Sequence, residues 1–387
     1  MNMKIIVSRA LKILSLLLAV VLASGLIQAY GIRNFHPNLT RFDGFYLEEK
    51  NSLDVLVMGA SEVYEGYAAG QAYGEFGFTS YPIAFDSNPV SLWKAELKDA
   101  LKYQHPKVLL VEVNGATYTR EEEIYKDASI RTFIEDTPFS LDKIGLLRDF
   151  TAHEKEPDPL YSYIFPLTKY HSRWDEINAM RWGCLDRLAM HRRGYSLLKG
   201  IYQHIEQNMN RKLIDVTNEE LMSEAPLPEV NRRCLDEFLD YLPQTGIEHV
   251  LFVRYPHRYA GKTDVARAQM SNTVGKLAME RGYDFLNMDL CMDEIGLDPV
   301  ADFNNKEHLN GTGMKKMTHF LGNYIQEKYQ AGKSQLSERA RKNWDESARY
   351  IDLFYTYYDL LQEGLDTDLK GLKETRKVIN ILTKYNQ

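Results

Sequence analysis

Asp54-Val55-Leu56-Val57-Met58-Gly59-Ala60-Ser61-Glu62 is the stretch on which the reading of this chain turns. A short, β-branched apolar run stops at a glycine and gives way to a small-residue turn. That is the pattern of a buried parallel strand. Similar runs follow at residues 81–85, 107–113, 247–253 and, more weakly, 283–288. Helical patterns lie between them. Ser87-Asn88-Pro89 reads as an N-cap with proline in the first turn, followed by Val90, Trp93, Leu97, Ala100 and Leu101 at helical spacing. A second helix opens at Thr263-Asp264 and stops at Gly282, and a third over residues 312–328 aligns Met317, Leu321, Tyr324 and Ile325. This alternation predicts an α/β protein, a three-layer α/β/α sandwich with a five-stranded parallel, flavodoxin-like sheet. In such sheets the site lies beyond the carboxyl ends of the strands.

Outside the alternation, the first thirty-two residues form an anchor or signal segment. Lys4, Arg9 and Lys12 precede an uncharged stretch over residues 13–32. An uncleaved single-pass anchor and a cleaved export signal both fit, with Val21-Leu22-Ala23 and Ile27-Gln28-Ala29 as candidate cleavage sites; a buried helix is the third reading. Either of the first two places the body outside the cytoplasm, at the cell membrane if the anchor stays. Residues 33–50 read as a polar, aromatic-rich linker. Residues 51–330 read as the α/β domain, interrupted by a helical insertion over residues 119–228. Residues 331–387 read as a C-terminal helical extension, in which Trp344, Ile351, Phe354, Tyr355, Tyr358 and Leu361 predict a hairpin packed on the body.

Composition excludes several classes. With 44% hydrophobic and 26% charged residues, the 387-residue chain is neither disordered nor a polytopic membrane protein. A net charge of −7 without a long basic run argues against a nucleic-acid surface. Cys184, Cys234 and Cys291 fit no metal pattern; they read as small buried residues, or as one disulfide plus a free thiol. Walker, dinucleotide-binding and zinc-protease motifs are missing, and no metal or cofactor is expected.

Chemistry concentrates on the loops at the carboxyl edge. Ser61 follows the first strand and opens a helix, whose N–H groups would favour a developing oxyanion; capping that helix is the simpler role. His308, in Asp302-Phe303-Asn304-Asn305-Lys306-Glu307-His308-Leu309-Asn310, lies on a loop after the last strand, where it could serve Ser61 as base. Ser87, Asn88 and Asn114 end the second and third strands and are candidate oxyanion donors, with capping or turn formation as the alternative. Arg254 ends the fourth strand. With Arg173-Trp174, Arg192-Arg193 and His257 it could line a groove for an anionic polymer, or simply form salt bridges. Glu121 to Glu123 reads as a solvated helix start.

A Gly-x-Ser after strand one, polar groups after strands two and three, and a terminal His-Leu-Asn together resemble the SGNH (GDSL-like) hydrolase superfamily. The anchor, the long insertion, the segment over residues 87–103 with His105-Pro106-Lys107-Val108, and Tyr170-His171-Ser172-Arg173-Trp174 are similar to its membrane-anchored branch. That branch is related to DltD, the teichoic-acid D-alanylation protein, and to alginate-type O-acetyltransferase proteins. The resemblance spans residues 50–330. It implies Ser61 as nucleophile, His308 as general base and Asn114 as an oxyanion donor. It further implies a serine acyl-enzyme that acts as acyltransferase or esterase on a cell-envelope glycopolymer, with a membrane-bound O-acyltransferase as partner. One position departs from the family. Aspartate is common three residues before the histidine, and here Asn305 stands there. Asparagine cannot supply that charge, so either Asp302 folds over to compensate or the site is weakened, leaving an accessory protein that binds the polymer or the acyltransferase.

Overall fold

A computed structural model describes residues 3–27, 37–138, 140–153, 157–170, 187–202, 212–332 and 335–362. The five apolar runs become five strands: β1 (Val55–Gly59), β2 (Ser80–Ala84), β3 (Val108–Glu112), β4 (His249–Arg254) and β5 (Asp284–Asn287). They form one sheet in the order β2-β1-β3-β4-β5, and every pairing is parallel. Val55 lies opposite both Ser80 and Val108, and Val108 lies opposite His249, so the strand ends are level. Burial of all of β1 and β3 explains why they read as continuous apolar runs rather than alternating ones. Pro82 is tolerated because β2 is an edge strand.

Chain order reverses beside β1, which is flanked by β2 on one side and β3 on the other. Connections leaving the carboxyl ends of β1 and β3 diverge at such a point and leave a crevice. Two glycines let the backbone close around it. A Cβ on Gly59 would lie 2.6 Å from both Val63 Cγ2 and Glu112 Cβ. A Cβ on Gly115 would lie 2.0 Å from the Asn88 carbonyl oxygen.

The helices follow the predicted pattern with some corrections. The helix after β2 is Val90–Ala100 and buries Val90, Trp93, Leu97 and Ala100. Its N-cap is Pro89, so Asn88 does not cap it. Lys262–Met279 and Gly311–Tyr329 match the two later helices, and the Asn310 side chain caps the second by accepting from Gly313 N at 3.0 Å. Residues 41–46 are no free linker. They belong to the helix Pro37–Tyr46, whose Phe42 and Phe45 are buried in the core, and the Tyr81 hydroxyl on β2 donates to the Arg41 carbonyl at 2.8 Å. Phe42 and Phe45 sit three residues apart on one helical face, so apolar burial holds this segment against the otherwise open edge of the sheet.

In the insertion, the described helices include Asp127–Asp136 and Asp142–Thr151. Arg173-Trp174, Cys184 and the motif following Tyr170 lie outside the described residues. Cys234 and Cys291 are free thiols, each only half-buried. Met3–Ile27 is one continuous helix, and residues 5–27 are apolar and long enough to cross a membrane, with none of that surface buried. Among the described residues, the C-terminal extension contributes the helix Glu338–Gln362; the second arm of the expected hairpin lies outside the described residues. That helix packs on Ala69–Phe76 and Gly311–Tyr329. Trp344, Ile351, Phe354, Tyr355 and Tyr358 form its buried face, and Trp344 meets the Tyr73 ring at 5.4 Å.

Trp344 is completely buried, so Trp344→Ala should lower unfolding stability by about 3–5 kcal/mol. Denaturant titration reads this as a lower midpoint. An unchanged midpoint would mean that the C-terminal helix rests on the body without stabilising it.

Candidate functional site

Ser61 is the first residue of the short helix Ser61–Gly66, while Ala60 occupies the N-cap with no side-chain bond. The hydroxyl is therefore not spent on capping. It meets the His308 ring instead, with Oγ and Nε2 2.8 Å apart. The His308 loop is a tight fold-back. Phe303 and Leu309 form an antiparallel bridge, Asn304 N donates to the His308 carbonyl at 2.9 Å, and Asn310 N donates to the Asp302 carbonyl at 2.9 Å. The two residues thus converge at the carboxyl edge of the sheet, as the sequence predicted.

Asn305 is the partner of His308 on the other side of the ring. Its Oδ1 accepts from two backbone N–H groups, Glu307 at 2.8 Å and His308 at 3.0 Å. Those bonds fix the amide so that Nδ2 faces His308 Nδ1 at 2.9 Å. An amide nitrogen only donates, so Nδ1 must accept and the neutral ring carries its hydrogen on Nε2. In this resting state Ser61 Oγ accepts from Nε2 and its own hydrogen points toward Glu62 Oε2, 3.5 Å away. A base for Ser61 needs the opposite tautomer.

Asp302 does not compensate. Its buried carboxylate accepts from Asp298 N at 2.7 Å and from Lys316 Nζ at 2.6 Å, bracing the start of the loop. Among the described residues, the carboxylate that comes within 4 Å of a ring nitrogen is Glu65, four residues after Ser61 and so on the same helical face. Its Oε1 lies 3.9 Å from His308 Nδ1. Burial pushes its carboxyl up to about 7, against the pull of the His308 and Arg41 charges.

Glu62 builds a second polar cluster behind Ser61. It is buried, which by itself would raise its carboxyl, but the His257 and His308 imidazoles hold it below the usual carboxylate range. His257 Nε2 stands 3.5 Å from Glu62 Oε1, and the Asn114 amide donates to the same oxygen. Asn114 Oδ1 accepts from Arg254 Nη1 at 3.1 Å and Arg267 Nη2 at 2.9 Å. Asn114 therefore reaches the neighbourhood of Ser61 through Glu62, with one of its two N–H bonds already committed. Arg254 is buried and pairs with Asp289 at 3.1 Å, so it is a salt-bridged strut for Asn114 and not a groove residue.

The loop after β2 corrects a further expectation. Asn88 is fully buried, and its Nδ2 donates to the Gly59 carbonyl at 3.1 Å and to Glu96 Oε2 at 2.8 Å. Both hydrogens are used, which leaves none for an oxyanion; Asn88 ties the end of β1 to the following helix. Ser87 occupies a left-handed turn (φ 55°), and its carbonyl accepts from Ser129 Oγ at 3.4 Å, linking this loop to the insertion. Among the remaining candidates, Arg193 stacks on the Tyr195 ring at 5.5 Å, and Glu123 pairs with Arg120 at 2.9 Å at the start of a short solvated helix.

Compared with known proteins, the chain matches no family model, no curated protein and no solved structure.

The buried carboxyls make stability depend on pH. Burial raises Glu96 to about 8 in the folded chain, opposed by its bond from Asn88, and burial together with the Glu62 charge holds Glu112 well above the usual range. An unfolded glutamate ionises near 4.3, so these groups stabilise the fold fully below that pH. Their contribution is lost as pH rises toward the folded values, at up to about 1.4 kcal/mol per pH unit for each group. The melting temperature should fall between pH 5 and 8, and Glu96→Gln should flatten that fall. Parallel melting curves for wild type and variant would show that Glu96 ionises alike in both states.

Proposed function

We propose that this chain is an SGNH-like serine acyltransferase or esterase that works at the cell surface. The observation that carries the proposal is the 2.8 Å contact between Ser61 Oγ and His308 Nε2 at the carboxyl edge of a parallel sheet. The strand order and the edge position of the pair support a flavodoxin-like, three-layer arrangement of the domain. In the reaction, Ser61 Oγ attacks an acyl carbonyl while its proton passes to His308 Nε2. The leaving group departs with that proton, and an acyl-enzyme ester remains on Ser61. His308 then takes a proton from the acceptor hydroxyl, which attacks the ester and restores Ser61. An acceptor hydroxyl on a cell-envelope glycopolymer makes the enzyme a transferase, and water makes it an esterase.

The uncovered apolar helix Met3–Ile27 supports a membrane anchor, and Lys4, Arg9 and Lys12 at its start favour an extracytoplasmic body. A membrane-bound O-acyltransferase would then be the acyl donor, handing the group to Ser61 near the bilayer.

A second reading rests on Asn305. Because its amide donates to His308 Nδ1, the resting ring holds the wrong tautomer for taking the Ser61 proton. A site left in that state would bind the polymer or the acyltransferase without forming an ester.

A fluorophosphonate probe separates the readings. The first expects one covalent adduct on Ser61, none in Ser61→Ala, and labelling slowed by about 10²–10⁴-fold in His308→Ala. Peptide mapping reads the site and intact mass the stoichiometry. Equal labelling of wild type and Ser61→Ala would end the proposal. A wild-type chain that takes no label yet retains glycopolymer would establish the second reading.

A further inference from the structure

Resting on the reading of Ser61 and His308 as nucleophile and base, we infer that Glu65 is the positioning residue of the site. Its carboxylate selects the His308 tautomer with a bare Nε2 and neutralises the imidazolium that forms when Ser61 gives up its proton.

The argument begins with what Asn305 does. Two backbone N–H groups hold its Oδ1, so its Nδ2 faces the ring and can only donate. An Nδ1–H tautomer would set two donors against each other. It becomes populated only if Nδ1–H gains a stronger acceptor elsewhere. A carboxylate meets that need, because a charge-assisted hydrogen bond is about twice as strong as a neutral one. Asp302 is committed to Asp298 N and Lys316. Glu62 lies on the Ser61 side, bonded by Asn114 and facing His257. Glu65 Oε1 stands 3.9 Å from Nδ1, and a shift of about 1 Å brings it to hydrogen-bond length.

The position also fits the chemistry. Glu65 is one turn after Ser61 on one short helix, so nucleophile and carboxylate are held on the same rigid element on either side of the ring. The charged and titratable groups acting on Glu65 are His308 from the final loop, Arg41 from Pro37–Tyr46, Asp86 from the loop after β2, and Glu62 from its own helix; Tyr202 and Tyr64 feel the same field. Arg41 pairs with Asp86 at 3.5 Å and stacks on Tyr64 at 3.7 Å, so its positive charge is held next to this helix. With the Glu65 carboxyl raised to about 7 by burial, the carboxylate form is complete only above neutral pH. The tautomer switch should therefore make Ser61 reactivity rise through that range.

The test measures fluorophosphonate labelling rates of the full chain in detergent for wild type, Glu65→Gln, Asn305→Asp and the double variant, across pH 5.5–9. Above pH 8, Glu65→Gln should label at least about 10²-fold more slowly than wild type. The double variant should recover to within about tenfold of wild type, because Asn305→Asp places a carboxylate directly on Nδ1. Wild-type labelling should rise through about pH 7, and this rise should shift to lower pH in Asn305→Asp. Glu65→Gln within threefold of wild type overturns the inference, and so does a slow Glu65→Gln that Asn305→Asp fails to rescue. Imidazole nitrogen shifts in the unmodified chain give a second readout, assigned by difference from His308→Gln. Hydrogen on Nδ1 at pH 8.5 supports the inference, and hydrogen on Nε2 at that pH overturns it. Loss of all Ser61 labelling in wild type would instead overturn the parent reading.

Discussion

A hydrogen bond of 2.8 Å joins two side chains 247 residues apart in sequence, Ser61 and His308. Nothing local brings them together. The bond exists because every strand runs the same way, so every strand exit opens onto the same edge. It also depends on the close packing of Gly59 against the Val63 and Glu112 side chains and of Gly115 against the Asn88 backbone, and on the fold-back from Asp302 to Asn310 that presents the ring. Each of these is a steric or hydrogen-bonding constraint that a single side chain could break.

Behind the pair lies an unusually acidic interior. Glu62, Glu65, Glu96 and Glu112 are all buried. Their environments differ. Glu62 faces two imidazoles and is kept as an anion. Burial holds Glu96 and Glu112 toward the protonated form, for Glu112 with the Glu62 charge, against the bonds they accept from Asn88 and from Asn114 N at 2.8 Å. Such an arrangement costs stability as the solution becomes more alkaline, and its negative potential centres on Glu62, beside Ser61. Arg254 and Arg267 offset that potential through Asn114, which explains why this amide is gripped from three sides.

Much of this was legible in residue patterns. Short β-branched runs mark buried parallel strands, and parallel strands oblige their exits to share an edge, so a serine after β1 and a histidine after β5 could be paired without coordinates. The directions of side chains were not legible. Asn88 follows a strand and precedes a proline, which reads as a cap or a free donor; only the fold shows both hydrogens turned inward to Gly59 and Glu96. Asp302 looked able to reach His308, but the turn points it at Lys316. Arg254 read as a groove residue or a salt-bridge partner, and only the fold names the partner, Asp289 from a separate loop. Glu65 did leave a signal, since it repeats the face of Ser61 one turn later; what it faces depends on a loop hundreds of residues away. Phe42 and Phe45 likewise carried a helical spacing that the polar residues around them obscured.

The helix Glu338–Gln362 lies on the helix that follows Ser61's turn, Ala69–Phe76, and on the helix that follows His308, Gly311–Tyr329. One helix therefore braces both halves of the pair, and it comes after both in the chain. During synthesis, Ser61 leaves the ribosome long before its imidazole partner, and both precede the segment that clamps them. Until His308 has been made, the 2.8 Å contact to Ser61 cannot form. Full packing around the Ser61–His308 contact therefore waits for residues 338–362, which follow both of its members in the chain.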